Sequence, residues 1–357
     1  MWVHPDDPEQ SIVAFTLKNG GLFMTDLEAN ILQTVTPATY GEFRYNNVDV
    51  VYNFRLGGQR VDLFVTSDRH NDTLAVFRID PDTREITNVT SPTMPETLFG
   101  VDDGEQTAYG LGIYANPYTD KVYAFVTQAD GNHIAQVELT ADGNGLVTGT
   151  VVRMLELPVP TGDPADSQSE GIVADRFLGY LYVAMENEVG ILRFNAEPDA
   201  GNDYTVIHSV DKPYLQPDIE GLTIYYGAGD TGYLLASSQG NNTYPIFARG
   251  GDNAYLGSFV VADSGDIDQA NESDGADVLN VPLGPDFPQG LLIVQDGAND
   301  PQNVVPDDEE LENNSTNFKF VRWDSVANAF ADSLLIDPGS YNPRYPMRAL
   351  LPTISNN

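Results

Sequence analysis

Cysteine is absent from the 357-residue chain. That excludes disulfides, thiolate zinc centres, iron–sulfur clusters and cysteine nucleophiles, and it removes cysteine pairing as a guide to redox compartment. Cations are scarce. Lys+Arg 17 against Asp+Glu 53 gives a formal net charge of −36, and the lysines are only Lys18, Lys121, Lys212 and Lys319. Such a surface repels nucleic acid and anionic lipid. No apolar run approaches the ~18 residues of a membrane span, and no basic-then-apolar start marks a signal peptide. Long amphipathic helices are missing too; Ser325 to Phe330 offers one or two turns at most. His4, His70, His133 and His208 are isolated from one another and read as structural or surface residues. There is no GxSxG elbow, no GxxxxGK[ST] loop and no RHGxRxP-type histidine phosphatase motif.

The chain does hold a hydrophobic fraction of 41%, with Gly 32, Pro 23, Tyr 18 and Phe 16, the balance of a turn-rich all-β protein with a real core. Short apolar or alternating runs recur throughout: Ser11 to Thr16, Arg60 to Ser67, Lys121 to Thr127, Gly179 to Met185, Gly232 to Gln239 and Gly290 to Asp296. Each is rich in β-branched and aromatic residues and bounded by turns, as a buried strand should be. A second series precedes five of them, beginning at Asn47, Tyr109-Gly110, Glu170-Gly171, Glu220-Gly221 and Asp274-Gly275. These starts are 62, 61, 50 and 54 residues apart. Such a period, with four strands per unit, predicts a propeller. Counting an incomplete first unit there are six. The expectation is therefore an all-β chain forming a single six-bladed β-propeller domain over 1–357, with four- to five-stranded antiparallel blades around a central channel and a first blade shortened at its N-terminal strand. A closed propeller hides its sheet edges, so a monomer is expected.

In each unit the first two strands run antiparallel, so the start of the first and the end of the second share one face. First-strand starts bring Asn47, Tyr109, Glu170, Glu220 and Asp274 to it; second-strand ends bring Lys18, Arg69, Glu186, Gln239 and Asp296. Strand ends are polar in most proteins, but that does not account for five acidic residues, a Tyr and two scarce cations at one end. Carboxylates so gathered cannot all ionise unless cations share them. The ring is either a multi-calcium site or a cluster with raised pKa values. Calcium is the simpler reading, since Asp, Glu, Asn, Gln and backbone carbonyls are its ligands. The loop Asp263 to Asp277 is dense in such groups but lacks the EF-hand pattern, and its Asp263, Asp266 and Glu272 read as solvated surface. Lys18 and Arg69 beside such a ring would clamp an anion, and calcium, Arg and Lys around one cavity suit phosphate chemistry.

Tyr45 to Phe54 (YNNVDVVYNF), Ser67-Asp68-Arg69, Ala108-Tyr109-Gly110, Gln168 to Gly171, Pro217 to Tyr226 (PDIEGLTIYY), Tyr233 to Asn242 (YLLASSQGNN), Ser273 to Val278 and Gln295-Asp296-Gly297 resemble, over nearly the whole chain, the β-propeller phytases, calcium-dependent alkaline phytases of bacteria. The resemblance implies hydrolysis of phytate, as its calcium complex, by a calcium-held water and without a phosphoenzyme. It implies a catalytic calcium cluster at Glu170, Glu186, Asp218, Glu220, Gln239, Asp274 and the Tyr109 hydroxyl, with Glu170, Tyr109, Glu220 and Asp274 closest to the chemistry. Lys18 and Arg69 match phosphate-binding cations. A structural calcium would sit near Asp268, Asp296 and Asn299, and another would use the carbonyl of Val48, near Asn47. Secretion is implied as well. Three departures stand out: only Met1 precedes Trp2 where the family carries further acidic ligands, a phosphate-binding Lys position falls near Ala129-Asp130, and an acidic ligand position of the structural calcium falls at Ala298. Two rival readings predict other sites. A propeller lactonase or gluconolactonase-type hydrolase needs one central calcium and a His or Asp base, and a non-enzymatic binding scaffold needs exposed aromatic patches.

Overall fold

The computed structural model describes residues 1–36, 43–100, 106–307, 310–313 and 315–344. Six small antiparallel sheets are arranged as the six blades of a propeller. Blades 2 to 5 have the expected four strands in simple sequence order. Their inner strands are Tyr45–Leu56, Ala108–Ala115, Ile172–Asp175 and Ile219–Tyr226. The second strands are Gln59–Asp68, Val122–Gln128, Tyr180–Ala184 and Gly232–Ser238, close to the runs read from sequence. Blade 6 has three strands, Ala276–Leu279, Leu291–Asp296 and Asn317–Arg322, with the hairpin Val304–Asp307/Glu310–Asn313 inserted before its last one. Blade 1 also has three, Val13–Thr16, Leu22–Thr25 and Ile31–Val35. A single bridge between Trp2 and Ile12 precedes them on the inner side. No blade has five strands among the described residues. The one α-helix among them is Trp323–Asn328, slightly ahead of the turns expected from sequence.

The burial gradient across a blade explains why the sequence signal is uneven. A second strand has a blade packed on each face, so Val122–Gln128 is buried at nearly every position. An outermost strand such as Tyr204–Ser209 is mostly exposed. Buried residues fall into six apolar clusters, one at each junction between neighbouring blades. The junction of blades 6 and 1 closes the ring, with Phe15 against Phe318 at a ring separation of 3.9 Å. Trp2 closes the next one, fully buried, its indole N–H donating to Asp62 at 2.8 Å. Truncating a large side chain in such a layer costs about 3–5 kcal/mol.

Candidate active site

Three inner strands begin with a break in register: between Tyr45 and Val48 in blade 2, Ala108 and Leu111 in blade 3, and Ile219 and Leu222 in blade 5. A bulge of this kind turns a side chain out of the regular alternation. The residues inside the breaks are Asn46-Asn47, Tyr109-Gly110 and Glu220-Gly221. In blades 4 and 6 the equivalents, Glu170-Gly171 and Asp274-Gly275, directly precede the strand. The glycines let the strands crowd. A Cβ on Gly110 would stand 2.1 Å from the Glu170 carbonyl oxygen, and one on Gly171 would stand 2.1 Å from that of Glu220. Each site residue is thereby packed against the backbone of the next around the channel.

At the centre, Glu186, Asp218 and Glu220 each offer a carboxylate oxygen, all within 4.8 Å of one another. Glu186 Oε1, Asp218 Oδ1 and Glu220 Oε2 are buried and have no hydrogen-bond partner. Orphaned buried carboxylate oxygens are costly in any protein. Three carboxylate oxygens at one point fit a hard divalent cation such as calcium. Around this core the remaining groups are held by amides. Asn46 Nδ2 donates to Glu170 Oε1 at 3.1 Å, Gln168 Nε2 to Glu186 Oε2 at 2.7 Å, and Gln239 Nε2 to Asp274 Oδ1 at 2.8 Å. The Asp274 N–H donates in turn to Gln295 Oε1 at 2.8 Å.

The electrostatics point the same way. Burial, then the Asp274 charge, pushes Glu170 up to about 7. Burial, then Glu170 and Asp218, raises Glu186 to about 8 against the Gln168 hydrogen bond. Burial and all four neighbouring carboxylates push Glu220 up to about 11. Burial also raises Asp218, and raises Asp274 against the pull of Lys18. The Tyr109 hydroxyl is driven far up by burial and by Glu170, Glu186 and Glu220. The raised values and the unpartnered oxygens describe one arrangement, a set of buried carboxylates short of positive charge.

The structure gathers Tyr109, Glu170, Glu186, Asp218, Glu220, Gln239 and Asp274 at this end, with Lys18 and Arg69 acting on Glu170 from the rim. Arg69 lies over the Tyr109 ring, 4.8 Å from its centroid, and its nearest carboxylate oxygen is on Asp130 at 3.9 Å. Asn47 sits beside Asn46, accepting from it at 2.7 Å, and Val48 follows at the same bulge. Asp268, Asp296 and Asn299 also meet, but away from this cluster and around a cation of the chain's own. Lys319 Nζ hydrogen-bonds Asp268 Oδ1, lies 2.9 Å from Asp296 Oδ2 and donates to Asn299 Oδ1 at 3.1 Å. Those acceptors surround an ammonium, although Asp296 Oδ2 is buried and, like the central three oxygens, makes no hydrogen bond. Asp263, Asp266 and Glu272 are exposed, as read. From sequence Asn46 reads, with Asn47, as no more than a common Asn-Asn turn, and Gln168, Gln295 and Arg44 carry no signal of their own. Asn46, Gln168 and Gln295 lie inside segments already quoted, but what marks them is whom they touch across blades.

A cavity of about 440 Å³ opens at the opposite end of the channel, lined among others by Arg60, Asn116, Asp120, Arg176 and Arg344. Arg60 there is paired with Asp120 at 2.7 Å and Arg344 with Asp62, while Arg176 donates to the Pro343 carbonyl at 2.7 Å. His4 and His208 are structural. His4 Nδ1 accepts two backbone N–H groups, and His208 stacks on Phe247 at 3.8 Å. The cluster of unpartnered carboxylate oxygens is at the acidic mouth.

An auxiliary nutrient binding protein of Bacteroides ovatus ATCC 8483 has a similar fold, with a TM-score of 0.50 and 11% identity over 82% of this chain and 66% of that one; the likeness concerns fold alone. A curated 3-phytase of Bacillus subtilis (strain 168) is 38% identical over 329 residues, 92% of this chain and 79% of that protein. The sequence profile of the phytase family matches residues 1–347, and the chain belongs to that family.

Proposed function

We propose that the chain is a calcium-dependent phytase. It hydrolyses phytate, myo-inositol hexakisphosphate bound as its calcium complex, to lower inositol phosphates and phosphate, with water as nucleophile and no phosphoenzyme. The observation that carries the reading is the trio of buried, unpartnered carboxylate oxygens on Glu186, Asp218 and Glu220. These three would hold calcium, with Glu170, Asp274, Gln239 and the Tyr109 hydroxyl completing the cluster and the carbonyl of Val48, near Asn47, serving a further ion. Bound calcium supplies charge neutralisation of phosphate oxygens and a bound water of lowered pKa. A further ion at Asp268, Asp296 and Asn299 would have to displace the Lys319 ammonium.

The chain's own groups then have distinct work. Lys18 and Arg69 draw phosphate to the rim, Arg69 with a planar fork that Tyr109 orients by stacking. Asn46 fixes the rotamer of Glu170 and Gln168 that of Glu186, so the ligand oxygens are pre-positioned. With a net charge of −36 the protein repels free phytate, which favours a substrate that arrives with cations. No helix among the described residues is long and apolar enough to cross a membrane, and we place the enzyme as a secreted monomer.

The test is phosphate release from phytate with calcium and with excess chelator. Release that needs calcium is expected. Calcium-independent release would refute the metal, and no release alongside hydrolysis of an aldonolactone would favour the lactonase reading. Binding without turnover of either substrate would favour a scaffold.

A further inference from the structure

We infer that Arg44 is a third phosphate-binding cation of this mouth, acting on substrate together with Lys18 and Arg69; the substrate named here rests on the phytase reading above. Arg44 lies just before the inner strand of blade 2. Its backbone is tied to the end of the second strand of the same blade. Its carbonyl accepts the Arg69 N–H at 2.7 Å, and its own N–H donates to Asp68 Oδ1 at 3.1 Å. The N–H of the next residue, Tyr45, donates to the Lys18 carbonyl at 3.2 Å. One short stretch of chain thus sets Lys18 on one side of Arg44 and Arg69 on the other. Two residues further on, Asn46 reaches Glu170 at 3.1 Å, so the same stretch runs into the carboxylate cluster.

The Arg44 side chain is half-buried and without a partner. Its Nε is buried with no hydrogen bond, and its guanidinium forms no ion pair among the described residues. This is odd in a chain with 53 acidic and 17 basic residues. Several basic groups elsewhere are ion-paired: Arg55 and Arg60 with Asp120, Lys121 with Glu138, Arg249 with Asp175, Arg322 with Asp324; Arg153, Arg176 and Arg193 form no ion pair among the described residues but donate to carbonyl or amide oxygens, which Arg44 does not. Lys18 also forms no ion pair among the described residues, and Arg69 has only the distant Asp130. Burial, then the Arg69 charge, holds the Arg44 guanidinium below its usual range, partly relieved by Tyr109 and Glu170. Neighbouring guanidiniums with no close carboxylate partner favour an anion between them. A phosphate group meets two forks at once, with oxygens enough for both. The competing account is that Arg44 only packs the junction of blades 1 and 2, which would make it a matter of stability.

The experiment uses calcium-loaded protein, with Arg44→Gln and Arg44→Lys. It combines steady-state kinetics on phytate, calorimetric binding of inorganic phosphate at sub-precipitating calcium, and melting temperature. For Arg44→Gln the expected result is a rise on the order of 10-fold in KM for phytate and in Kd for phosphate. The expected kcat stays within about threefold, melting is unchanged, and Arg44→Lys recovers part of the loss. Wild-type protein that fails on phytate but binds phosphate more tightly than Arg44→Gln would sink the substrate reading and keep Arg44 as an anion ligand. Equal phosphate affinity in wild type and Arg44→Gln, or no phosphate binding by wild type, would overturn the inference. So would a lower melting temperature with unchanged KM in the folded fraction.

Discussion

Glu220 is the most strained charge of the mouth: it faces Glu170, Glu186, Asp274 and Asp218 from a buried position. That makes a sharp prediction for Glu220→Gln, which keeps the volume and removes the charge. Without metal the variant should melt no lower than wild type, because a neutral amide of the same shape replaces a carboxyl that burial among acids already pushes up to about 11. With calcium it should gain little, because a ligand oxygen has lost its charge, and phosphate release should fall by roughly 100-fold or more, the scale of losing an electrostatic element of catalysis. Paired melting curves in calcium and chelator, with phosphate release on the same samples, decide it. Near-normal turnover would make Glu220 a structural carboxylate. At this scale the sequence was informative for residues whose chemistry is rare, namely acids and scarce cations at repeated strand positions. It was silent on Arg44 and Gln168. An arginine in an irregular stretch or a glutamine before a strand has many possible duties, and only proximity across blades assigns one.

The elements explain why those residues converge. Second strands were legible because both faces are covered, leaving continuous apolar runs such as KVYAFVT at Lys121 to Thr127. Outer strands such as Tyr204–Ser209 were not, because solvent on one side erases the pattern. The register breaks were likewise hidden: an X-Gly pair before an apolar run marks a strand start equally well with or without a bulge. The close approach at Gly171 gives the bulged mouth a testable consequence. In Gly171→Ala the new Cβ must push the Glu220 carbonyl out from 2.1 Å, and Ala184 is within 3.1 Å on another side. The Glu220 carboxylate should shift with its backbone. A displacement of order 1 Å at a catalytic group costs about 100-fold, so Gly171→Ala should lose activity far beyond any loss of folded protein, and calcium should stabilise it less than wild type. Activity in proportion to folded protein would mean that the strands can spread without harm.

For the whole molecule, closure and charge are coupled. Six junction clusters hold the ring shut while a group of carboxylates at its mouth repels itself. The propeller was legible because the repeat of strand pairs survives in the sequence. The thinning of blade 6 to three strands with an inserted hairpin was not, since acidic loop residues there carry no strand signal. The coupling predicts how stability follows pH. Glu170 and Glu186 titrate near 7 and near 8 in the folded, metal-free protein, against about 4.3 when unfolded. Between those values the folded state holds more protons than the unfolded one, so stability falls as pH rises. For these groups the favourable contribution is complete below about pH 4.3 and is lost on passing through pH 7 to 8. In chelator, the melting temperature should therefore drop by about 5 °C or more between pH 5 and pH 9. Calcium competes with those protons for the same oxygens. It should flatten the decline above neutrality and, at a hundredfold excess over its dissociation constant, add about 2.7 kcal/mol per site. Melting temperatures measured across that range, with calcium and with chelator, check both parts. A metal-free protein whose stability stays level or climbs from pH 5 to pH 9 would show that the mouth carboxylates are already compensated by some other group, and the case for a cation at Glu186, Asp218 and Glu220 would fall with it.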